Sequence, residues 1–544
     1  MVNIQSKSWV VQKYGGTSVG KFLDTITSSI VPGYLERHNV AIVCSARSGI
    51  SKSKGTTNLL LDAIRLATSN ASDTAAFGQV VDVIKEEHIQ AAREAIPPGR
   101  DTEEILADLE LAIRKDCEQL RAFLRASQTL GELSDRAQDK ILAVGETLSC
   151  RIMTGSLLSK GISASTVILD DIVQEAYGQE HQQLSRAFKK NPSQFLSGLL
   201  GAIENRISNC RGMVPVITGF FGSMPDSLVH NVGRGYSDLC AAMCAATLNA
   251  SCLEIWKEVD GIFTADPRKI KTARLLATVT SEEAAELTYY GSEVIHPLTM
   301  NQIDNTCIPL RLKNVMNPGG NGTLVFPSEI SLTPTNRDGP GSLLDPQVGL
   351  SKKEIPSLKS STFMYNNGYY GTTTSKYRRT PTALTYKPTT ILNIRSNGTS
   401  SPQTLIGRVA DIMQTHDITI DLVSSSLQTL SIAVNTTKED SLENAVAELT
   451  EHGSVKVSKS MAIVSVIGHK MKNKIGVAAE IFTALAGARV NIDLISQGAS
   501  EINISFVVKE EDAVLAMEVV HTNVMHIPLH SEQENHFMKG PWLY

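Results

Sequence analysis

The 544-residue sequence predicts an α/β domain followed by two small βαββαβ units of ferredoxin-like type. Three observations carry that reading. Up to about residue 327, short apolar runs alternate with long helical patterns, the signature of a mainly parallel sheet flanked by helices. From about 328 to 380 the texture turns to Ser, Thr, Pro, Gly and Tyr, as in "TPTNRDGPGS" and "MYNNGYYGTTTSK", which reads as a linker or a weakly ordered loop. Beyond it, "TILNIRS" at 390 matches "AIVSVIG" at 462, "IDLVSSS" at 420 matches "IDLISQG" at 492, and "LSIAV" at 430 matches "INISF" at 502. All three pairs share one offset of 72 residues, so the chain contains an internal repeat.

In the first part, "WVVQK" (9–13), "VAIVCS" (40–45), "ASTVIL" (164–169), "MVPVITG" (213–219), "CLEIWK" (252–257) and "PLRLK" (309–313) predict strands. Helical patterns cover roughly 76–96, 102–126, 134–158 and 237–249. In the first repeat, strands are expected at 389–395, 417–423, 428–435 and 455–460, and helices at 404–415 and 438–452. A unit of about 70 residues has a thin core and gains from pairing with its twin. Two in tandem suggest a binding module. The expected divisions are 8–327, a linker 328–385, then 386–460 and 461–532.

Composition narrows the functional classes. A net charge of −5 gives no bulk electrostatic case for nucleic acid or for an anionic membrane surface. The eight cysteines include no C-x-x-C pair and none follows Cys307, unlike a disulfide framework or a zinc module. Reduced thiols and a cytoplasmic location are expected. The start lacks an apolar signal core, and no run reaches the roughly 18 apolar residues of a membrane span. "LCAAMCAAT", 239–247, is the nearest and reads as a buried helix.

Four stretches could carry chemistry. "YGGTSVGKF" fits G-x-x-x-x-G-K through Gly15, Gly20 and Lys21, but Phe22 stands where a P-loop needs a hydroxyl for Mg²⁺. In "KYGGTS", Lys13 ends the first strand ahead of two glycines, so one ammonium and several backbone N–H groups could converge on a phosphate; a strand-ending turn with a solvated lysine reads the same letters. "NVGRGYSDLCAAMCAA", 231–246, sets Arg234 in a glycine-rich turn, with Ser237 and Asp238 at the start of an apolar helix. That helix end attracts anions, although taken alone it is a turn with Ser237 as an N-cap. Glu146, in "AVGETLSC", is a carboxylate inside an apolar helical stretch, costly if buried unpaired, or else a helix-surface residue. "WKEVDGIFTADPRK", 256–269, packs acidic, aromatic and basic residues after a strand, as a nucleotide site or a plain loop would.

Taken in order, "KYGGTSVGKF", "IVCSARS" with "KGTTNLL", "VGETLS", "VGRGYSDL", "WKEVDGIFTADPRK" and "YYGSEVIHP" resemble the aspartate kinases of the amino acid kinase family, and most closely the fungal monofunctional type. The resemblance is dense over 8–327, and the repeat is similar to the paired ACT domains of that family. It implies the amino acid kinase fold with tandem ACT domains. It also implies transfer of the γ-phosphoryl of ATP, with Mg²⁺, to the side-chain carboxylate of L-aspartate, at the head of threonine and methionine biosynthesis. Lys13 and Asp238 would be catalytic, and Ser45, Thr57, Glu146, Arg234 and Ser237 would bind aspartate. Gly15, Gly16, Thr17, Ser18, Lys257, Glu258, Val259, Phe263 and Arg268 would bind the nucleotide. Glu293 stands where many bacterial relatives carry a nucleotide-contacting lysine. Threonine is the inhibitor the resemblance implies, with Asp421, Ser424, Asn491, Asp493, Gln497 and Asn503 in the effector segments and a homo-oligomer formed through the ACT pair. Those segments read equally as packing between the two units. Other readings are a kinase of another carboxylate acceptor, for which Glu146 would have no ammonium to pair with, a P-loop NTPase, against which Phe22 argues, and a non-catalytic amino acid sensor.

Overall fold

The computed structural model describes residues 7–48, 55–69, 74–131, 133–178, 181–222, 235–290, 295–327, 381–397, 402–435, 439–468, 471, 475–498 and 502–525. Arg234, Glu293 and the 328–380 segment lie outside these residues. The first part is an eight-stranded sheet in the order β3-β4-β2-β1-β5-β7-β8-β6. Its strands are β1 (Trp9–Tyr14), β2 (Asn39–Cys44), β3 (Ala164–Val167), β4 (Val214–Thr218), β5 (Cys252–Lys257), β6 (Thr278–Thr280), β7 (Leu310–Asn314) and β8 (Thr323–Phe326). Pairing is parallel apart from β7 with β8.

All six strands expected from the sequence are present, while β6 and β8, three and four residues long, carry too short a pattern to be read. Period-2 alternation sorts the side chains of β1: Val11 joins one core with Ala41, Val43, Leu253 and Ile255, and Tyr14 joins the other with Ile42, Cys44 and Trp256. The helix Tyr236–Thr247 is buried from Ser237 to Ala245 against the first core, so the alanine-rich stretch is an internal helix. The helix Asp135–Ser159 is long and apolar enough to cross a membrane by composition, yet 78% of that window is buried within the fold. It packs with the helices Thr56–Ser69, Thr74–Ala95 and Arg100–Leu130 around a separate helical core.

From β1 the chain passes to β2 on one side and later to β5 on the other. Strand order therefore reverses at β1, and connections leave its carboxyl end in opposite directions, opening a crevice there. Lys13, Ser45, Gly219 and Lys257 all sit at that edge. Beneath it, on the other face, the buried Glu254 accepts from Gln12 Nε2 (3.1 Å), Trp256 Nε1 (3.1 Å) and Tyr34 OH (2.6 Å). This network locks β1 to β5 immediately below the two lysines.

The repeat folds as one six-stranded sheet, β10-β11-β9-β12-β14-β13, made of β9 (Ala383–Ser396), β10 (Thr419–Ser425), β11 (Thr429–Asn435), β12 (Gly453–Ile467), β13 (Leu494–Ser496) and β14 (Asn503–Lys509). The two units are not simply consecutive. β12 runs unbroken from the last strand of the first unit into the first strand of the second, with its register shifting between Ser458 and Met461. β9 starts at Ala383, inside the stretch expected as linker, and its first half pairs with the second half of β12, Ala383 opposite Ile467. Residues 383–388 thus lie beside the second unit's half of β12, on the side opposite β14. Period reading treats each copy alone and cannot see an edge completed from elsewhere in the chain.

Candidate active site

The loop after β1 is not a P-loop. Gly16–Lys21 is a six-residue helix, with Lys21 exposed in its last turn and Phe22, at its C-cap, partly buried against the core. The glycines serve packing: a Cβ on Gly16 would lie 2.2 Å from Ala46 O, and one on Gly20 would lie 2.0 Å from Ser48 O. Only without side chains can this turn lie on the 46–48 backbone, where Ser48 N donates to Gly16 O (2.9 Å).

Lys13, at the end of β1, reaches across the crevice to Asp238 in the first turn of the helix Tyr236–Thr247, Nζ to Oδ1 2.6 Å, with both side chains nearly buried. Ser237 is not the N-cap. That position is Gly235, whose missing side chain lets it approach His296 (2.7 Å from a built Cβ to His296 Cβ), while the Ser237 hydroxyl meets Ser45 Oγ at 2.9 Å. The same helix turn therefore presents Asp238 to β1 and Ser237 to the loop after β2.

Glu146 lies within the helix Asp135–Ser159 at 1% exposure, so the buried reading holds. It accepts hydrogen bonds from Phe220 N–H and from the Tyr236 hydroxyl. Burial dominates and pushes its carboxyl up to about 8, against the opposing effect of those donors and of Lys13. Gly219 is the floor between these groups: a built Cβ would stand 2.5 Å from Ser237 Cβ and 3.2 Å from both Glu146 Oε1 and Cys44 O. Lys13, Ser45, Glu146, Ser237 and Asp238 are thus brought together, with one ammonium facing two carboxyl groups and two hydroxyls. Thr57 is not joined to them; it is exposed, and its neighbour Thr56 is the buried one, beside Gly145.

On the β5 side, Ser18 Oγ donates to the buried Glu258 at 2.7 Å, tying the helix after β1 to the end of β5. Two expected nucleotide contacts therefore spend these atoms on each other. Gly15 is an extended N-cap, and Thr17, Lys257, Val259 and Phe263 are partly buried around it or in the loop after β5. Arg268 is exposed and folded onto Asp266, Nη2 to Oδ2 3.0 Å. In the repeat, Ser424 and Asp493 line a cavity of about 300 Å³ together with Ser431, Ile492, Leu494 and Ile495. Asp421 is buried against Lys387 (2.8 Å), Asn491 and Gln497 are exposed, and Asn503 is buried and donates to Glu286 Oε2 of the first domain (2.5 Å). Tyr236, Gly219 and Phe220 were not foreseen. The glycine closing a predicted strand pointed to Gly219 and Phe220, and Tyr236 sits inside the glycine-rich "NVGRGYSDL" stretch.

The family model described as "Amino acid kinase family" matches residues 8–314, over half of the chain, and that described as "ACT domain" matches 464–524. The aspartokinase of Candida albicans is 40% identical over 527 residues, 95% of this chain and 90% of that protein, and that of Schizosaccharomyces pombe is 40% identical over 547 residues, all of this chain and 98% of that one. Among solved structures, E. coli aspartokinase III in complex with lysine and aspartate aligns with a TM-score of 0.68 at 22% identity, covering 95% of this chain and 99% of that one. The chain belongs to the amino acid kinase family and, within it, to the aspartokinases; it is an enzyme.

Proposed function

We propose that this aspartokinase transfers the γ-phosphoryl of ATP to the side-chain carboxylate of L-aspartate, giving 4-phospho-L-aspartate for threonine and methionine biosynthesis. The acceptor has a reference pKa near 3.9, so it arrives as an anion and needs no general base. What it needs is charge neutralisation and alignment. The observation that carries the reading is the buried pairing of Lys13 with Asp238 beside Glu146. Lys13 is the cation for the transferring phosphoryl, and Asp238 keeps it from swinging away. Glu146, costly to ionise in the free site, becomes a good partner for a substrate ammonium, which favours an α-amino acid acceptor over an N-acylated one.

The Ser45 and Ser237 hydroxyls would hold the acceptor's remaining polar atoms, and Arg234 would clamp a carboxylate with its planar fork. The nucleotide would lie along Gly15–Ser18 and the loop after β5. Mg²⁺ would travel with the ATP phosphates, held by phosphate oxygens and water with at most one or two carboxylates. The described residues contain no cluster of three His, Cys, Asp or Glu side chains of their own. An amino acid, threonine in this reading, would inhibit from the cavity between β10 and β13, in a homo-oligomer paired through the repeat. All eight cysteines are free, which supports a reducing, cytoplasmic setting.

The test is an ATP- and Mg²⁺-dependent hydroxamate assay with purified protein, because hydroxylamine traps an acyl phosphate. Product with L-aspartate that falls on adding threonine is expected. Product only with another carboxylic acid would move the substrate assignment, and inhibition by a different amino acid would move the effector. Arg234→Ala should raise the aspartate KM while ATP binding is retained; equal loss of both would remove Arg234 from its assigned role.

A further inference from the structure

The loop after β5 folds back on itself as a hairpin, with Thr264 N–H donating to Arg274 O and Leu276 N–H to Ile262 O, both at 2.8 Å. One arm carries Phe263 and the turn carries Arg268, two residues placed above at the nucleotide. The hairpin is not held by its own domain alone. Ala265, Ile270 and Ala273 are buried in the core of the second repeat unit, Leu384 N–H of β9 donates to Thr264 O (2.8 Å), and Lys269 Nζ sits 3.4 Å from the centroid of the Tyr386 ring.

At the centre of this contact is His521, fully buried on the helix Ala513–Asn523 of the second unit. Its Nε2 lies 2.9 Å from Thr264 Oγ1 and its Nδ1 lies 3.0 Å from Thr272 Oγ1, so one imidazole bridges both arms. Thr264 Oγ1 also accepts the Arg274 N–H (2.9 Å), which ties the hydroxyl to the second arm. A neutral imidazole between two hydroxyls donates from one ring nitrogen and accepts at the other. Burial, with Arg274 adding to it, lowers the imidazole to about 4, so the ring is neutral and keeps one donor and one acceptor.

We propose that His521 is a positioning residue for nucleotide binding, supplied by the second repeat unit, which holds the two arms of the 262–276 hairpin at the spacing the ATP site requires. The proposal rests on reading the loop after β5 as the nucleotide side. It implies that a shift of the Ala513–Asn523 helix is felt first as a change in nucleotide affinity, not in acceptor affinity.

The test compares His521→Leu with His521→Gln in the full-length protein. Both fill most of the imidazole's space, but only Gln offers an acceptor and a donor to the two hydroxyls. The Leu variant should raise the KM for ATP and the calorimetric Kd for ADP roughly tenfold, since the buried Thr264 and half-buried Thr272 hydroxyls both lose the imidazole, with the aspartate KM within about twofold. The Gln variant should recover most of the nucleotide affinity. Should Leu prevent folding, Thr272→Val, which removes one of the two bonds, should show a smaller change of the same kind. Equal effects of Leu and Gln, or equal loss for both substrates, would overturn the proposal. ADP calorimetry needs no acceptor, so a wild-type protein that binds ADP but does not phosphorylate aspartate would refute the proposed acceptor and leave this comparison readable. A wild-type protein that binds no ADP would overturn both.

Discussion

Gly219→Ala tests the acceptor pocket with one added methyl group. The new Cβ would stand 2.5 Å from Ser237 Cβ, where two carbons in contact sit about 3.5–4.0 Å apart, so about 1 Å must be found. Ser237 cannot yield it freely, because its hydroxyl is bonded to Ser45 and its helix is buried throughout the first core. Retreat the other way is blocked by Cys44 O and Glu146 Oε1, both at 3.2 Å. Overpacking of this kind costs about 1–3 kcal/mol of stability, and a displacement of about 1 Å at reacting groups costs on the order of 100-fold in rate. The expected result is therefore a fall of roughly 100-fold in kcat/KM for aspartate in the hydroxamate assay, with ADP affinity nearly unchanged because the Ser18–Glu258 contact lies on the β5 side. Gly201→Ala is the control: on an exposed helix turn with nothing within 4 Å of a built Cβ, it should leave activity unchanged and stability equal or slightly higher. If Gly219→Ala folds and keeps kcat/KM within roughly threefold of wild type, the pocket does not hold the acceptor where it is placed here.

Two further outcomes follow from the same geometry. With the Glu146 carboxyl raised to about 8 in the free site, the aspartate KM should fall as pH is raised from 6 towards 8, by up to about tenfold per unit, and level off above. Folded-state Glu146 holds a proton that the unfolded chain has lost, so its contribution to stability is full below about 4.5 and lost as pH rises through about 8; Glu146→Gln should abolish both trends, and a pH-independent aspartate KM in the wild type would sink the assignment. In the repeat, Ser424→Leu or Asp493→Ala should relieve inhibition by the amino acid effector without lowering uninhibited activity, measured as dose–response curves; variants that only reduce uninhibited turnover would place those residues outside the effector cavity.

The elements that announced themselves are those whose pattern is local. Six buried strands and the long helices follow from runs and periods in the chain, and the constant 72-residue offset exposed the repeat, because periodicity and self-similarity need no knowledge of neighbours. Lys13 was legible as a candidate because it ends a strand ahead of two glycines, Asp238 because it opens an apolar helix after a glycine-rich turn, and Glu146 because it breaks an apolar stretch. Their assembly was not, since residues 13, 146 and 238 meet only through the strand order β4-β2-β1-β5. Packing between elements also decided that Ser237 faces Ser45 instead of capping its helix, that Thr57 is exposed while Thr56 is buried, and that Asn503 is bonded to Glu286 of the first domain. Residues 383–388 complete a sheet edge some 80 residues further along the chain, and His521 bridges a hairpin more than 240 residues before it. Composition and spacing determine which residues can be buried or charged along one segment. Which of them share a pocket depends on contacts whose free energy arises only once distant segments are packed together, and that was decided by the tertiary structure alone.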